Sequence, residues 1–253
     1  MSQILTFLGE SSAARTKIAI ASAKSLANQG KRVLLASGAE PVLPVMLGAD
    51  LGPDPQEIGA NLQAVQFQSS VLLERNWEEV KKLEAQYLKT PILKDVYGQE
   101  LSILPGMDGA LALNAIREYF ESGKYDVIVY NGTGDLNTLR MLGMPESISW
   151  YVRRFRQLFV NSDLGKAISD SPFIQPLIST FLNVNPTADN FSQPTNQANN
   201  ILDKGKKVLA NPQQFSAFLV TTTDPMYVVT CRYLFLRAQQ VCLTICVVIV
   251  ISE

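Results

Sequence analysis

Eight consecutive residues, Gly9-Glu10-Ser11-Ser12-Ala13-Ala14-Arg15-Thr16, occupy the frame of a phosphate-binding loop, whose standard form reads G-x-x-x-x-G-K-[ST]. The chemistry of that pattern is anion capture. Free backbone N–H groups and the positive end of a helix converge on a phosphate, a lysine neutralises it, and the hydroxyl holds Mg²⁺. Gly9 and Thr16 keep their places, whereas Arg15 stands where the lysine belongs and Ala14 where the second glycine belongs. Arginine keeps the positive charge and can fork onto two oxygens, but it is bulkier and is not conservative in a tight cradle. Lys17 does not replace it, because two helical residues rotate its side chain by roughly 200°.

Other common chemistries are excluded by composition. The chain has no histidine, which removes histidine general bases, Ser-His-Asp and Cys-His systems and most zinc and iron sites. Three cysteines, Cys231, Cys242 and Cys246, lie in apolar sequence and fit a reduced protein better than a disulfide framework. The spacing of Cys242 and Cys246 reads either as a metal or redox pair or as buried inert thiols, and the Val, Ile and Leu around them favour the second. Lys plus Arg number 22 against 23 Asp plus Glu, a net charge of −1, so no nucleic-acid partner is expected and any phosphate binding must be local.

The elements that would position the loop are those of an α/β fold. The chain has 253 residues, 47% hydrophobic and 18% charged, the latter below the ~25% usual for soluble domains, so a globular chain with a sizeable core is the default. Ile4–Leu8 is a buried-strand run, Thr16–Gln29 an Ala-rich helix closed by Gly30, and Val33–Ala36 a second strand: a βαβ unit with its loop at the strand's carboxyl end. Further strands are expected at Leu62–Phe67, Asp126–Tyr130, Ala217–Thr222 and Leu243–Ile251, with helices at Val71–Leu88, Ala110–Phe120 and Met226–Gln240. The expected architecture is one doubly wound, mostly parallel α/β domain over 1–253, with a helical insertion at 143–212. Within it, the Asn-, Pro-, Thr- and Gln-rich stretch 183–200 is expected to be a mobile loop. The start of the chain lacks secretory features, and the apolar run Val241–Ile251 is shorter than the ~20 residues of a membrane-spanning helix, so a cytoplasmic protein without a transmembrane segment is expected.

The loop and its neighbours, Phe7–Leu35, Leu104-Pro-Gly-Met-Asp-Gly-Ala-Leu-Ala-Leu113, Tyr125-Asp-Val-Ile-Val-Tyr130 and Asn137-Thr-Leu-Arg-Met-Leu142, together resemble the arsenical-pump (ArsA) and tail-anchored-protein-targeting ATPase family. The resemblance runs from about Ile4 to about Ile251. It implies a P-loop NTPase fold, ATP or ADP with Mg²⁺ as cofactor, and a homodimer. It also implies a partner that is either a metalloid efflux system or hydrophobic protein segments held by the helical insertion.

Carried over residue by residue, the resemblance also marks departures. The family loop runs G-K-G-G-V-G-K-T-T, so Glu10 stands where a lysine reaches the partner subunit's nucleotide. A carboxylate turned inward about 4 Å from a unit negative charge would oppose binding by roughly 4 kcal/mol at an effective dielectric near 20. Ser11, Ser12 and Ala14 replace glycines and add Cβ atoms where backbone must approach phosphate, with Ala13 between them. Thr16 matches the Mg²⁺ hydroxyl ligand and is equally an ordinary helix-start residue. Glu40-Pro41 resembles the family's Asp-Pro with one extra residue before the carboxylate, which makes Glu40 the candidate for positioning the attacking water. The family's D-T-A-P-T-G-H-T-L-R aligns with Asn131-Gly-Thr-Gly-Asp-Leu-Asn-Thr-Leu-Arg140, so Asn131 lacks the charge expected near magnesium and Asn137 replaces the histidine. Asp135 compensates only if its loop folds back; otherwise Gly132, Gly134 and Asp135 form a turn. These departures predict weak nucleotide binding with slow or absent hydrolysis. The alternative is a non-enzymatic protein that holds apolar segments through Trp150, Tyr151, Phe155, Phe159 and their neighbours.

Overall fold

A computed structural model describes residues 2–38, 41–87, 106–160 and 192–251. Among them seven strands, β1 (Gln3–Leu8), β2 (Val33–Ser37), β3 (Gln56–Gly59), β4 (Leu62–Gln66), β5 (Val127–Asn131), β6 (Phe215–Thr222) and β7 (Ile245–Ile251), form one sheet. Its order is β3-β4-β2-β5-β1-β6-β7. Every neighbouring pair is parallel except the antiparallel β3–β4 edge. The helices are α1 (Ser12–Asn28), α2 (Val42–Leu47), α3 (Ser69–Tyr87), α4 (Met107–Glu121), α5 (Leu136–Val160), α6 (Ser192–Ala210) and α7 (Pro225–Gln240). This is the mostly parallel α/β sheet with flanking helices expected of a P-loop NTPase fold.

The central strands are apolar without alternation, as a parallel sheet covered on both faces requires. Ile4–Leu8 and the whole of β2 and β5 are buried. The registers place Ser37 opposite Asn131, Thr6 opposite Tyr130 and Leu8 opposite Leu219, so the carboxyl ends of β1, β2, β5 and β6 come together. Helix α1 covers this centre with Ala19, Ala23 and Ala27, four residues apart on one buried face, and small side chains let the helix lie close to the sheet. Arg15 is the next position toward the amino end on that same face.

Two features differ from the expected elements because of local backbone chemistry. Helix α1 begins at Ser12, four residues before the expected Thr16. The Ser11 hydroxyl caps it by accepting from the Ala14 N–H at 3.4 Å, and serine and alanine continue a helix where each glycine would cost ~1 kcal/mol. Helix α5 runs unbroken from Leu136 through Pro145 to Val160, so it enters the segment 143–212 already helical. The short edge strand β3 and the helix α2 carry too little periodicity to be read from sequence. Of the stretch 183–200 expected as a loop, 192–200 are the first half of α6, propagated from the apolar positions that follow Ile201, and 183–191 lie outside the described residues.

The cysteines are also corrected. Cys231 is buried, but Cys242 and Cys246 are exposed. Cys242 has φ +59 and lies in the turn that ends α7, where its N–H donates to Gln239 O, so only Cys246 is in β7. No cluster of three or more metal-ligating side chains occurs among the described residues.

The chain divides into two compact units. One, Met1–Leu72, Leu104–Met144 and Lys207–Glu253, carries the whole sheet. The other, Leu73–Ile103 and Pro145–Lys206, includes most of the segment 143–212. Within it Glu146 pairs with Arg153 at 3.6 Å and Lys206 at 3.8 Å, and Trp150 meets Tyr151 edge-on at 5.0 Å. Among the described residues no helix is long and apolar enough to cross a membrane.

Candidate functional site

The candidate site lies at the carboxyl ends of β1 and β5, where open α/β sheets place their ligands. Because α1 starts early, the connection from β1 is only Gly9-Glu10-Ser11. Gly9 has φ +147, a region open to glycine, and a Cβ there would stand 2.1 Å from Val220 O on β6. Its N–H donates to Gly134 O at 2.8 Å, which ties the β1 loop to the β5 loop. Glu10 is exposed, Ser11 and Ser12 are half-buried, Ala13 is exposed and Ala14 buried. Lys17 is exposed on the opposite side of α1 from Arg15.

Arg15 lies in the sheet-facing stripe and is 1% exposed. Its guanidinium bridges two backbone carbonyls, donating from Nη1 to Gly9 O and from Nη2 to Gly132 O at 3.1 Å. Gly134, at φ +70, leaves room for the Arg15 side chain, since a Cβ there would come within 2.4 Å of Arg15 Cδ and Nε. Arg15 thus points into the floor between the two loops and cross-links them. Thr16, 0% exposed, accepts from Asn131 Nδ2 at 3.0 Å. Asn131 Oδ1 is buried with no hydrogen-bond partner among the described residues. The structure therefore brings Gly9, Arg15, Thr16 and Asn131 together. Glu40 lies outside the described residues.

Asp135 takes the turn role. Its Oδ1 accepts from the Asn137 N–H at 2.8 Å, the Thr138 N–H at 3.3 Å and the Thr133 hydroxyl at 2.5 Å, and its Oδ2 from Asn137 Nδ2 at 3.1 Å, capping α5. Thr138 completes the turn by accepting from the Gly134 N–H at 2.9 Å. Burial pushes the Asp135 carboxyl up, but the bonds from Thr133, Asn137 and Thr138 outweigh it and hold it below the usual carboxylate range. Its stabilising contribution is therefore complete above about pH 4 and is lost as pH falls through the lowered folded value. Asp135→Ala is expected to cost about 1 kcal/mol at neutral pH. Urea unfolding of variant and wild type should converge as the pH is lowered; a difference that grows in acid would contradict the capping role.

Sequence reasoning missed the inward course of Arg15 and the contribution of Gly132 and Gly134 as its partners. One signal was available: Arg15, Ala19, Ala23 and Ala27 recur every four residues, which places Arg15 on the buried face of α1.

The comparisons with known proteins agree with this architecture. The profile of the anion-transporting ATPase family matches residues 2–251. A protein of Chlorobaculum tepidum, provisionally named an arsenical pump-driving ATPase, is 30% identical over 171 residues, covering 66% of this chain and 42% of its own length. A protein of the same provisional name from Prosthecochloris vibrioformis matches with the same identity and coverage. A third, from Aquifex aeolicus, is 26% identical over 160 residues, or 60% of this chain and 40% of the relative. The chain thus spans about two fifths of the length of these relatives. With the family profile covering almost every residue of the sheet and its loops, the chain belongs to the anion-transporting ATPase family.

Proposed function

We propose that this chain is an anion-transporting ATPase-family protein that binds adenine nucleotide weakly and turns ATP over slowly or not at all. The observation that carries the reading is the inward course of Arg15. A phosphate-loop cation acts by meeting phosphate oxygens, but both Nη atoms of Arg15 already serve the carbonyls of Gly9 and Gly132. Because Arg15 is 1% exposed, turning its guanidinium out to meet a phosphate would mean giving up those bonds and leaving two buried acceptors unsatisfied, at about 1–3 kcal/mol each. The residues fit a magnesium-bound triphosphate poorly in two further respects. Residues 12–14 are the first turn of a helix instead of an open cradle. Thr16 Oγ1 already accepts from a neutral amide where Mg²⁺ favours carboxylate oxygen. Glu40 remains the proposed water-positioning carboxylate for any residual hydrolysis.

Isothermal titration with ATP and ADP, with Mg²⁺ and with a chelator, tests this. The expected result is millimolar affinity, unchanged by Mg²⁺, with phosphate release at background. Micromolar, Mg²⁺-dependent binding with steady phosphate release would overturn it.

A second reading, a non-enzymatic protein that holds apolar segments of other proteins, is favoured by the exposure of Ile148, Trp150 and Tyr151 on the second half of α5. Trp150 is half-exposed and the other tryptophan, Trp77, is buried. Binding of an apolar helical peptide should therefore blue-shift the fluorescence of Trp150. No shift at saturating peptide would remove this reading.

A further inference from the structure

The connection between the β1 and β5 loops is made by the chain's own atoms, and Arg15 is at its centre. Both backbone groups of Gly9 are engaged: the N–H donates to Gly134 O at 2.8 Å, and the carbonyl accepts from Arg15 Nη1. With its other Nη atom Arg15 reaches Gly132 O at 3.1 Å, and Asn131 Nδ2 donates to Thr16 Oγ1 at 3.0 Å. Three bonds thus run between Gly9, Arg15 or Thr16 and residues 131–134, and a fourth holds Arg15 to Gly9. The seat of the guanidinium is shaped for it. Gly134 has φ +70, and a Cβ there would stand 2.4–2.7 Å from Arg15 Cδ, Nε and Cζ, so the arginine fills the space that any other side chain at 134 would take. Glycine alone adopts that backbone freely and leaves that space open.

We propose that Arg15 is an autoinhibitory latch on the phosphate site: its guanidinium holds the β1 and β5 loops against each other, and nucleotide affinity is limited by how rarely it leaves its seat. The proposal rests on the reading of a weak nucleotide site and assigns the largest part of that weakness to the seat at Gly134. A site that must open before it binds shows its intrinsic affinity multiplied by the open fraction. A hydrogen bond from a charged donor is worth about tenfold or more, so two of them hold the open fraction to on the order of one in a hundred. Once out of its seat, the same arginine presents a forked cation to phosphate oxygens. The latch therefore hides a cation that the chain still carries.

Gly134→Ala tests this, because its methyl group fills the seat while the cation stays in the chain. The atoms it meets are the far end of a flexible side chain, so Arg15 moves and the strands stay in place. Circular dichroism checks that the variant folds. Isothermal titration is expected to show ATP affinity at least tenfold above the wild type, and adding Arg15→Ala to Gly134→Ala should abolish the gain. A folded Gly134→Ala protein that binds ATP no better than the wild type overturns the latch, as does a gain that persists without Arg15. Hydrogen exchange on the nucleotide-free wild type is a second measurement that needs no variant. The Gly9 amide, bonded to Gly134 O, should be protected on the order of a hundredfold, and exchange at the rate of an unfolded chain would overturn the proposal. The two ideas fail separately. Micromolar, Mg²⁺-dependent binding by the wild type sinks the weak-site reading itself, whereas a weak wild type with an equally weak Gly134→Ala removes only the latch.

Discussion

Gly9→Ala is expected to destabilise the protein by roughly 3 kcal/mol, the largest effect of any single small substitution at the site. Two independent costs add. The backbone at φ +147 is a conformation that residues with a Cβ rarely adopt, and the added carbon would lie 2.1 Å from Val220 O and 3.1 Å from Val220 C. Those are backbone atoms of β6, so no side-chain rotation relieves the clash. Phe7 and Leu8 are held opposite Phe218 and Leu219 by the parallel ladder on that side. Moving Gly9 the other way strains its bond to Gly134 O and the contact of its carbonyl with Arg15. Urea or guanidinium unfolding provides the measurement, and a midpoint equal to that of the wild type would show that β1 and β6 part more easily than their register suggests.

The second large effect is a gain. Glu10→Lys, Arg15→Lys and Asn131→Asp together are expected to tighten ATP binding at least tenfold and to make it depend on Mg²⁺. A lysine in place of Arg15 would carry a single ammonium and could not bridge the carbonyls of Gly9 and Gly132 as the forked guanidinium does. Reversing the exposed charge at Glu10 removes a repulsion and adds an attraction, each about 1 kcal/mol at 4 Å in water. Together these exceed the ~1.4 kcal/mol of a tenfold change. A carboxylate in place of the Asn131 amide would stand beside Thr16 Oγ1, which lies 3.0 Å from the present amide nitrogen, and would supply the charge a magnesium site requires. If the folded triple variant still ignores nucleotide, the block lies in the early helix start and the Cβ atoms of Ser11, Ser12 and Ala14. The apolar-segment reading would then gain.

The strands and helices were legible where local periodicity is strong. The apolar runs of β1, β2 and β5 and the Ala-spaced face of α1 announce themselves, because a central parallel strand and a close-packed helix each need one type of residue repeated at short range. The altered frame at Gly9–Thr16 and the neutral Asn131 were equally plain, since they are substitutions in a known pattern. The course of side chains was another matter. The sequence determined that a cation stands at position 15, and the tertiary structure decided that it serves carbonyls, because Gly132 O, 117 residues away, comes within 3.1 Å only when β5 lies beside β1. Asp135 is a carboxylate by sequence and a helix cap by the folding of its turn. The same holds at the sheet edge. Seven apolar residues in a row predict a strand at β7, yet burial depends on neighbours, and among the described residues the strand order gives β7 one. Local patterns encode what an element is, whereas contacts between distant segments decide what its side chains meet, and the chemistry of this site lies in those contacts.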